Sequence, residues 1–360
     1  MKEKAPLSKR CKPFHEFFAG SGLVSCGLSG LFTAAWANDI SRRKRDVYIA
    51  NLGEDHFHLG DVSLVHGVDL PSAQLSWASF PCQDLSLAGK MGGIHSSRSG
   101  LVWQWLRVID ELGDNAPKVV CLENVVGLVS SDGGRNYAVL HDALIDRGYS
   151  AGVVLVNADR FIPQSRPRVF VIATRGPIPG CLVSNGSSWL QNNAIAAIGK
   201  RTDGFVWWNA PEPEPRMQTL ADIVDGDVEF DRNDLCRLVS EKQASKLFQS
   251  GFEYATGYRR TRNGKQVMEL RCDGVAGCLR TPAGGSSRQF LIHTKGNELE
   301  IRLLTIREVA RLMGAPDSWQ LPGSYNDGYF AMGDAVAAPV AQWLAETFLY
   351  PLAEAAYGTH

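Results

Sequence analysis

Two stretches decide the fold: Trp77-Ala78-Ser79-Phe80-Pro81-Cys82-Gln83-Asp84-Leu85-Ser86, and further on Val119-Val120-Cys121-Leu122-Glu123-Asn124-Val125. Each reads as a short apolar strand that stops at a polar residue. In a parallel sheet that pattern puts the Cys82 thiol and the Glu123 carboxylate at neighbouring carboxyl ends of strands, where open α/β sheets hold their ligands. Pro81 fixes φ and removes a backbone donor, so the chain turns and presents Cys82 from a loop. A thiol beside a carboxylic acid suits addition to an electron-poor ring.

Outward from these segments, residues 14–175 alternate strand-like and helical runs. Strands are expected at Phe14–Ala19, Thr33–Asn38, Leu75–Ser79, Val119–Glu123, Gly152–Asn157 and Arg168–Thr174, with helical period over Leu101–Leu112 and Tyr137–Arg147. This is the alternation of a doubly wound, mostly parallel α/β sheet. Around residue 176 the pattern breaks at Gly176-Pro177-Ile178-Pro179-Gly180 and again at Pro211-Glu212-Pro213-Glu214-Pro215. Residues 232–295 hold twelve Lys or Arg against five Asp or Glu, although the whole chain carries 37 against 38 and a net charge of −1. Polyanion binding must therefore come from this local cluster, which marks a basic second domain. Helical period resumes at Ile301–Leu312, with Thr305 and Glu308 in capping-box spacing, and an apolar helix over Ala335–Leu349 should pack back on the first domain. The resulting division is a catalytic and cofactor-binding domain over 1–175, a recognition domain over 176–299, and a C-terminal segment over 300–360.

The eight cysteines show no Cys-x-x-Cys or His/Cys spacing, so neither a disulfide framework nor a metal is expected. No stretch has the apolar length of a membrane span or the core of a signal peptide, and a cytoplasmic location is expected.

Phe17-Phe18-Ala19-Gly20-Ser21-Gly22-Leu23 joins the first strand to a helix. Its glycines suit a tight turn against a nucleoside, but it lacks the spacing of dinucleotide-binding and phosphate-binding loops. Asp39, at the end of the next strand, is placed to accept from ribose hydroxyls, and Asp61 in Gly60-Asp61-Val62 from an adenine amino group. In this order the set favours an adenosine pocket without a phosphate.

Taken together, Phe17–Gly22, Asp39, Gly60–Val62, Phe80-Pro81-Cys82-Gln83, Glu123-Asn124-Val125, Gln164-Ser165-Arg166-Pro167-Arg168, Arg302–Glu308 and Gly333-Asp334-Ala335-Val336 resemble the C5-cytosine DNA methyltransferase family, in the family's order. The resemblance implies a Rossmann-like methyltransferase sheet with an inserted target-recognition domain. It implies methyl transfer from S-adenosyl-L-methionine to C5 of a cytosine rotated out of duplex DNA. Cys82 would add to C6, Glu123 would act at N3, and Arg168, with Arg166 beside it, would offset charge on the ring. The cofactor would be lined by Phe18, Ala19, Gly20, Ser21, Gly22, Leu23, Asp39, Ile40, Asp61, Val62, Pro81, Leu101, Asp334, Ala335 and Val336.

DNA contacts are expected from Gln83, Ser86, Lys90 and Arg98, in a glycine-rich loop that would close over the base. Others are expected from Arg259, Arg260, Arg280, Thr281 and Arg288, with Arg262, Lys265 and Arg271 as further cations. The partners expected are double-stranded DNA and a cognate restriction endonuclease, with the chain acting as a monomer. Asp334 departs from the family's usual asparagine, and a carboxylate there bears on the amino-acid end of the cofactor. Two other readings stay open: a tRNA cytosine-5 methyltransferase on the same scaffold, and an inactive DNA-binding regulator.

Overall fold

In a computed structural model, which describes residues 11–81, 100–230, 234–281, 288–296 and 298–358, the chain builds two sheets. The first has seven strands: β1 (Lys12–Phe17), β2 (Phe32–Asp39), β3 (Phe57–Leu59), β4 (Leu75–Ala78), β5 (Val119–Asn124), β6 (Ser150–Asn157) and β7 (Pro167–Thr174), in the order β3-β2-β1-β4-β5-β7-β6. Only β7 runs against the others. Residues Val119 to Leu122 are buried without exception, as a central strand covered on both faces must be. Expected and observed strand limits agree to within two residues, and the helix Leu101–Leu112 starts and stops as its period predicts.

Two apolar layers cover this sheet. On one face Leu101–Leu112 packs with Tyr137, Leu140 and Leu144. On the other lie the helices Leu23–Leu28, Ala338–Leu344 and Tyr350–Tyr357. The C-terminal segment returns to the N-terminal one through a close approach at Gly27, where a Cβ would sit 2.3 Å from the Ala338 carbonyl oxygen.

The second sheet is antiparallel, ordered β11-β10-β8-β9 from β8 (Tyr254–Arg262), β9 (Lys265–Arg271), β10 (Gln289–Lys295) and β11 (Glu298–Leu303). Its small core is Leu247, Ala255, Met268, Phe290, Ile292 and Ile301. Two features differ from the division expected from sequence. Leu182, Leu190, Trp208 and Ile223, assigned there to the recognition segment, pack in the core of the large sheet. At the other end, the small sheet runs on to Leu303, past the expected boundary at 299. Proline-rich composition signals a break in alternation, but it does not say which core the following apolar residues join. The capping box at Thr305 forms as expected, and Glu308 also takes a two-toothed grip from Arg302 at 2.8 and 2.6 Å.

Candidate active site

The carboxyl ends of β3, β2, β1, β4 and β5 lie in that order along one edge of the large sheet. β7 begins at the same edge because it runs the other way. A cavity of about 460 Å³ follows this edge. Its lining takes Gly60, Asp61 and Val62 after β3, and Asn38, Asp39 and Ile40 at the end of β2. Phe18, Ala19 and Gly20 follow β1, Ser79, Phe80 and Pro81 follow β4, and Glu123 to Val125 end β5. Leu23, Val24, Ser41, Lys44, Leu101, Arg168, Thr281, Phe330 and Asp334 to Val336 complete the wall.

The turn after β1 is built for close approach. Gly22 sits at φ 83°, and a Cβ there would fall 2.5 Å from Leu52 Cδ1. Phe18 adopts φ 57°, a conformation that costs a non-glycine residue ~1–3 kcal/mol and that recurs at ligand sites. Asp39 is fixed from both sides: the amide of Gly20 donates to Oδ2 at 2.9 Å and that of Ser41 to Oδ1 at 2.8 Å. Asp61 accepts from the Ser63 amide at 2.8 Å.

At the other end Glu123, 6% exposed, meets Arg168 Nε at 2.9 Å. Burial pushes its carboxyl above the usual carboxylate range, and the Arg168 guanidinium opposes this without cancelling it. A carboxyl shifted in this direction binds a proton more readily than a solvated glutamate. Next to it Asn124 donates through Nδ2 to the Phe80 carbonyl oxygen at 3.0 Å. That bond ties the end of β5 to the two residues that precede Cys82. Cys82 itself, with Gln83, Ser86, Lys90 and Arg98, lies outside the described residues.

The remaining expected residues divide. Ser21 is wholly buried, and neither it nor Gly22 is part of the cavity wall. Arg166 is likewise set back. Its guanidinium donates to the carbonyls of Leu279 (2.8 Å), Gly333 (3.2 Å) and Ala335 (2.7 Å), so it holds backbone and leaves the cavity to Arg168. Burial lowers it to about 10, still charged at neutral pH. Of the basic residues expected at DNA, Arg260 and Arg262 share Glu269 across the hairpin, and Arg288 donates to Asn326 at 2.6 Å. Arg271 is occupied by Asp273. Arg259 and Arg280 have no ion pair with a described residue; Arg280 is exposed, next to Thr281 in the cavity wall.

Sequence reasoning missed Lys44. It lies in the run Arg42-Arg43-Lys44-Arg45, which reads as a solvated helix face. Only the fold shows that the helix Arg42–Leu52 brings the third member of that run to the cavity wall.

A family model, C-5 cytosine-specific DNA methylase, matches residues 13–349. The chain belongs to that family. This methylase is 28% identical over 348 residues to Type II methyltransferase M.HhaI of Haemophilus parahaemolyticus, covering 92% of each chain. To Type II methyltransferase M.HpaII of Haemophilus parainfluenzae it is 27% identical, covering 94% of this chain and 90% of that one. Among solved structures, S. pombe Dnmt2 methyltransferase superposes with a TM-score of 0.61 at 20% identity, over 95% of this chain and 99% of the other. A DNA modification methyltransferase encoded within an E. coli prophage gives 0.59 at 14%, over 95% and 99%. The mostly parallel sheet with a second antiparallel sheet is thus the methylase fold.

Proposed function

We propose that this methylase modifies C5 of a cytosine extruded from duplex DNA, using S-adenosylmethionine, with Cys82 as nucleophile and Glu123 as the acid at N3. The observation that carries the reading is one cavity whose wall includes fixed carboxylates suited to an adenosine at one end, and at the other Glu123, Arg168 and the residue preceding Cys82. The lining fits the cofactor: Asp39 for ribose hydroxyls, Asp61 for an adenine amino group, and Phe18, Val62, Phe80 and Leu101 for the rings. When bound, the cofactor supplies an electrophilic methyl on a sulfonium.

The chain's own groups do the rest. The Cys82 thiolate adds to C6 while Glu123 protonates or hydrogen-bonds N3, so the electron pair of the C5–C6 double bond becomes nucleophilic at C5. Arg168 holds the Glu123 carboxyl in place and offsets charge on the ring. After C5 has taken the methyl, its proton leaves to a base and the C–S bond breaks, restoring the aromatic ring and the thiolate. Arg166 acts as a positioning residue behind this site. The small sheet with Arg259 and Arg260, together with the adjoining Arg280, Thr281 and Arg288, serves as the recognition surface, and a restriction endonuclease is the partner expected for such an activity.

The test is transfer of tritiated methyl to duplex DNA and to tRNA in parallel, with Cys82→Ser and Glu123→Gln. Label on DNA that Cys82→Ser abolishes supports the reading. Label on tRNA alone would favour the RNA substrate, and no label on either would favour a regulator.

A further inference from the structure

The cavity wall holds an ion pair that the reaction above does not use. Lys44 Nζ lies 2.7 Å from Asp334 Oδ2, and both residues line the cavity. They come from opposite ends of the chain. Lys44 stands in the first turn of the helix Arg42–Leu52, and Asp334 caps the end of the helix Tyr325–Gly333. The ammonium is 15% exposed and 5.5 Å from the centre of the Phe330 ring, so most of its water shell is gone. Burial alone would lower it, but Asp334 and Asp39 together hold it above the ordinary lysine value, and it is fully charged.

A buried cation held against an open cavity invites an anion. Among the described residues lining the cavity, the cations are Lys44 and Arg168. Arg168 is committed to Glu123 and to the Pro167 carbonyl oxygen. Asp39, fixed by two backbone amides, and Asp61 are assigned above to the ribose and the adenine, whereas Asp334, 45% exposed, is bound on one oxygen by Lys44. Lys44 is therefore the cation left for a carboxylate ligand, and Asp334 the acceptor left for an ammonium.

We infer that Lys44 and Asp334 form a zwitterion receptor that takes the amino-acid end of an S-adenosyl cofactor, Lys44 binding its α-carboxylate and Asp334 its α-ammonium. This rests on the adenosyl-cofactor reading of the cavity. Binding exchanges one internal ion pair for two complementary contacts, so neither charge is left bare when the ligand departs. The aspartate is then no defect in a pocket that must hold a carboxylate: Lys44 balances it from the facing helix.

Calorimetry with three ligands tests the assignment: S-adenosylhomocysteine, its decarboxylated form S-adenosyl-3-thiopropylamine, and 5′-methylthioadenosine, which lacks the amino-acid end. Lys44→Met should weaken S-adenosylhomocysteine about tenfold or more and leave the other two within about twofold, since charge-assisted hydrogen bonds are worth that much. Asp334→Asn should weaken both ammonium-bearing ligands and spare methylthioadenosine. Equal losses for all three ligands would mean that the pair only straps two helices together, and unchanged binding would mean that it faces away from the ligand. Either result overturns the assignment while leaving the adenosyl reading intact. Failure of the unaltered protein to bind S-adenosylhomocysteine would overturn both.

Discussion

Glu123 owes its chemistry to burial set against one guanidinium. Burial raises the proton affinity of its carboxyl, and Arg168 opposes this while holding the group in place. Glu123→Gln should cut methyl transfer by about 10²–10⁴-fold, the usual worth of a positioned proton donor, with S-adenosylhomocysteine affinity kept. Parallel rate and binding measurements check it. Glu16 shows the same physics away from the reacting atoms. It lies fully buried on β1, accepts from Ser25, and is pushed by burial to about 8. Folding therefore binds a proton that the unfolded chain releases near 4.5. The stability this gives is complete below that value and is lost as pH rises towards about 8. Glu16→Gln should flatten that decline, seen as a smaller fall in melting temperature between acid and mildly alkaline buffer than in the unaltered protein. An equally steep fall would show that Glu16 is already ionised.

At the level of elements, the strands were legible because each is a short apolar run closed by a polar residue. Those polar residues, Asp39 and Glu123, are the ones that meet in the cavity. What sequence could not show is how elements from opposite ends of the chain approach. Gly27 looks like an incidental small residue, and Gly333 like the first member of a motif with no packing role. Yet a Cβ on Gly27 would meet the Ala338 carbonyl oxygen, and one on Gly333 would fall 2.6 Å from the amide nitrogen of Thr281. Gly27→Ala should accordingly destabilise the protein by about 1–3 kcal/mol through overpacking between two helices, measured as a drop in melting temperature. A wild-type melting temperature would mean that the helices part without cost. Arg166 was legible as important but not in what it holds. The family resemblance set it beside Arg168 at the ring, and only the fold reveals three carbonyls converging on it.

Over the whole molecule, Arg166 joins three regions distant in sequence: the start of β7, the recognition segment at Leu279, and the stretch at Gly333 and Ala335 beside the cavity. Gln164 strengthens the same junction, accepting from the Leu279 amide and donating to the Leu312 carbonyl oxygen at 2.5 Å. Arg166→Met should cost about 2–5 kcal/mol, because the buried carbonyls lose their donors together, and should weaken DNA and cofactor binding in concert. Separate effects on the two ligands would argue that the junction does not link them. The sharpest test of the chemistry is covalent. Duplex DNA carrying 5-fluorocytosine at the modified position cannot release the C5 substituent, so the adduct persists after methyl transfer. Peptide mapping by mass spectrometry should find the DNA joined to Cys82 in the presence of S-adenosylmethionine. A full yield of methylated product with no adduct, or an adduct on another cysteine, would contradict nucleophilic attack by Cys82.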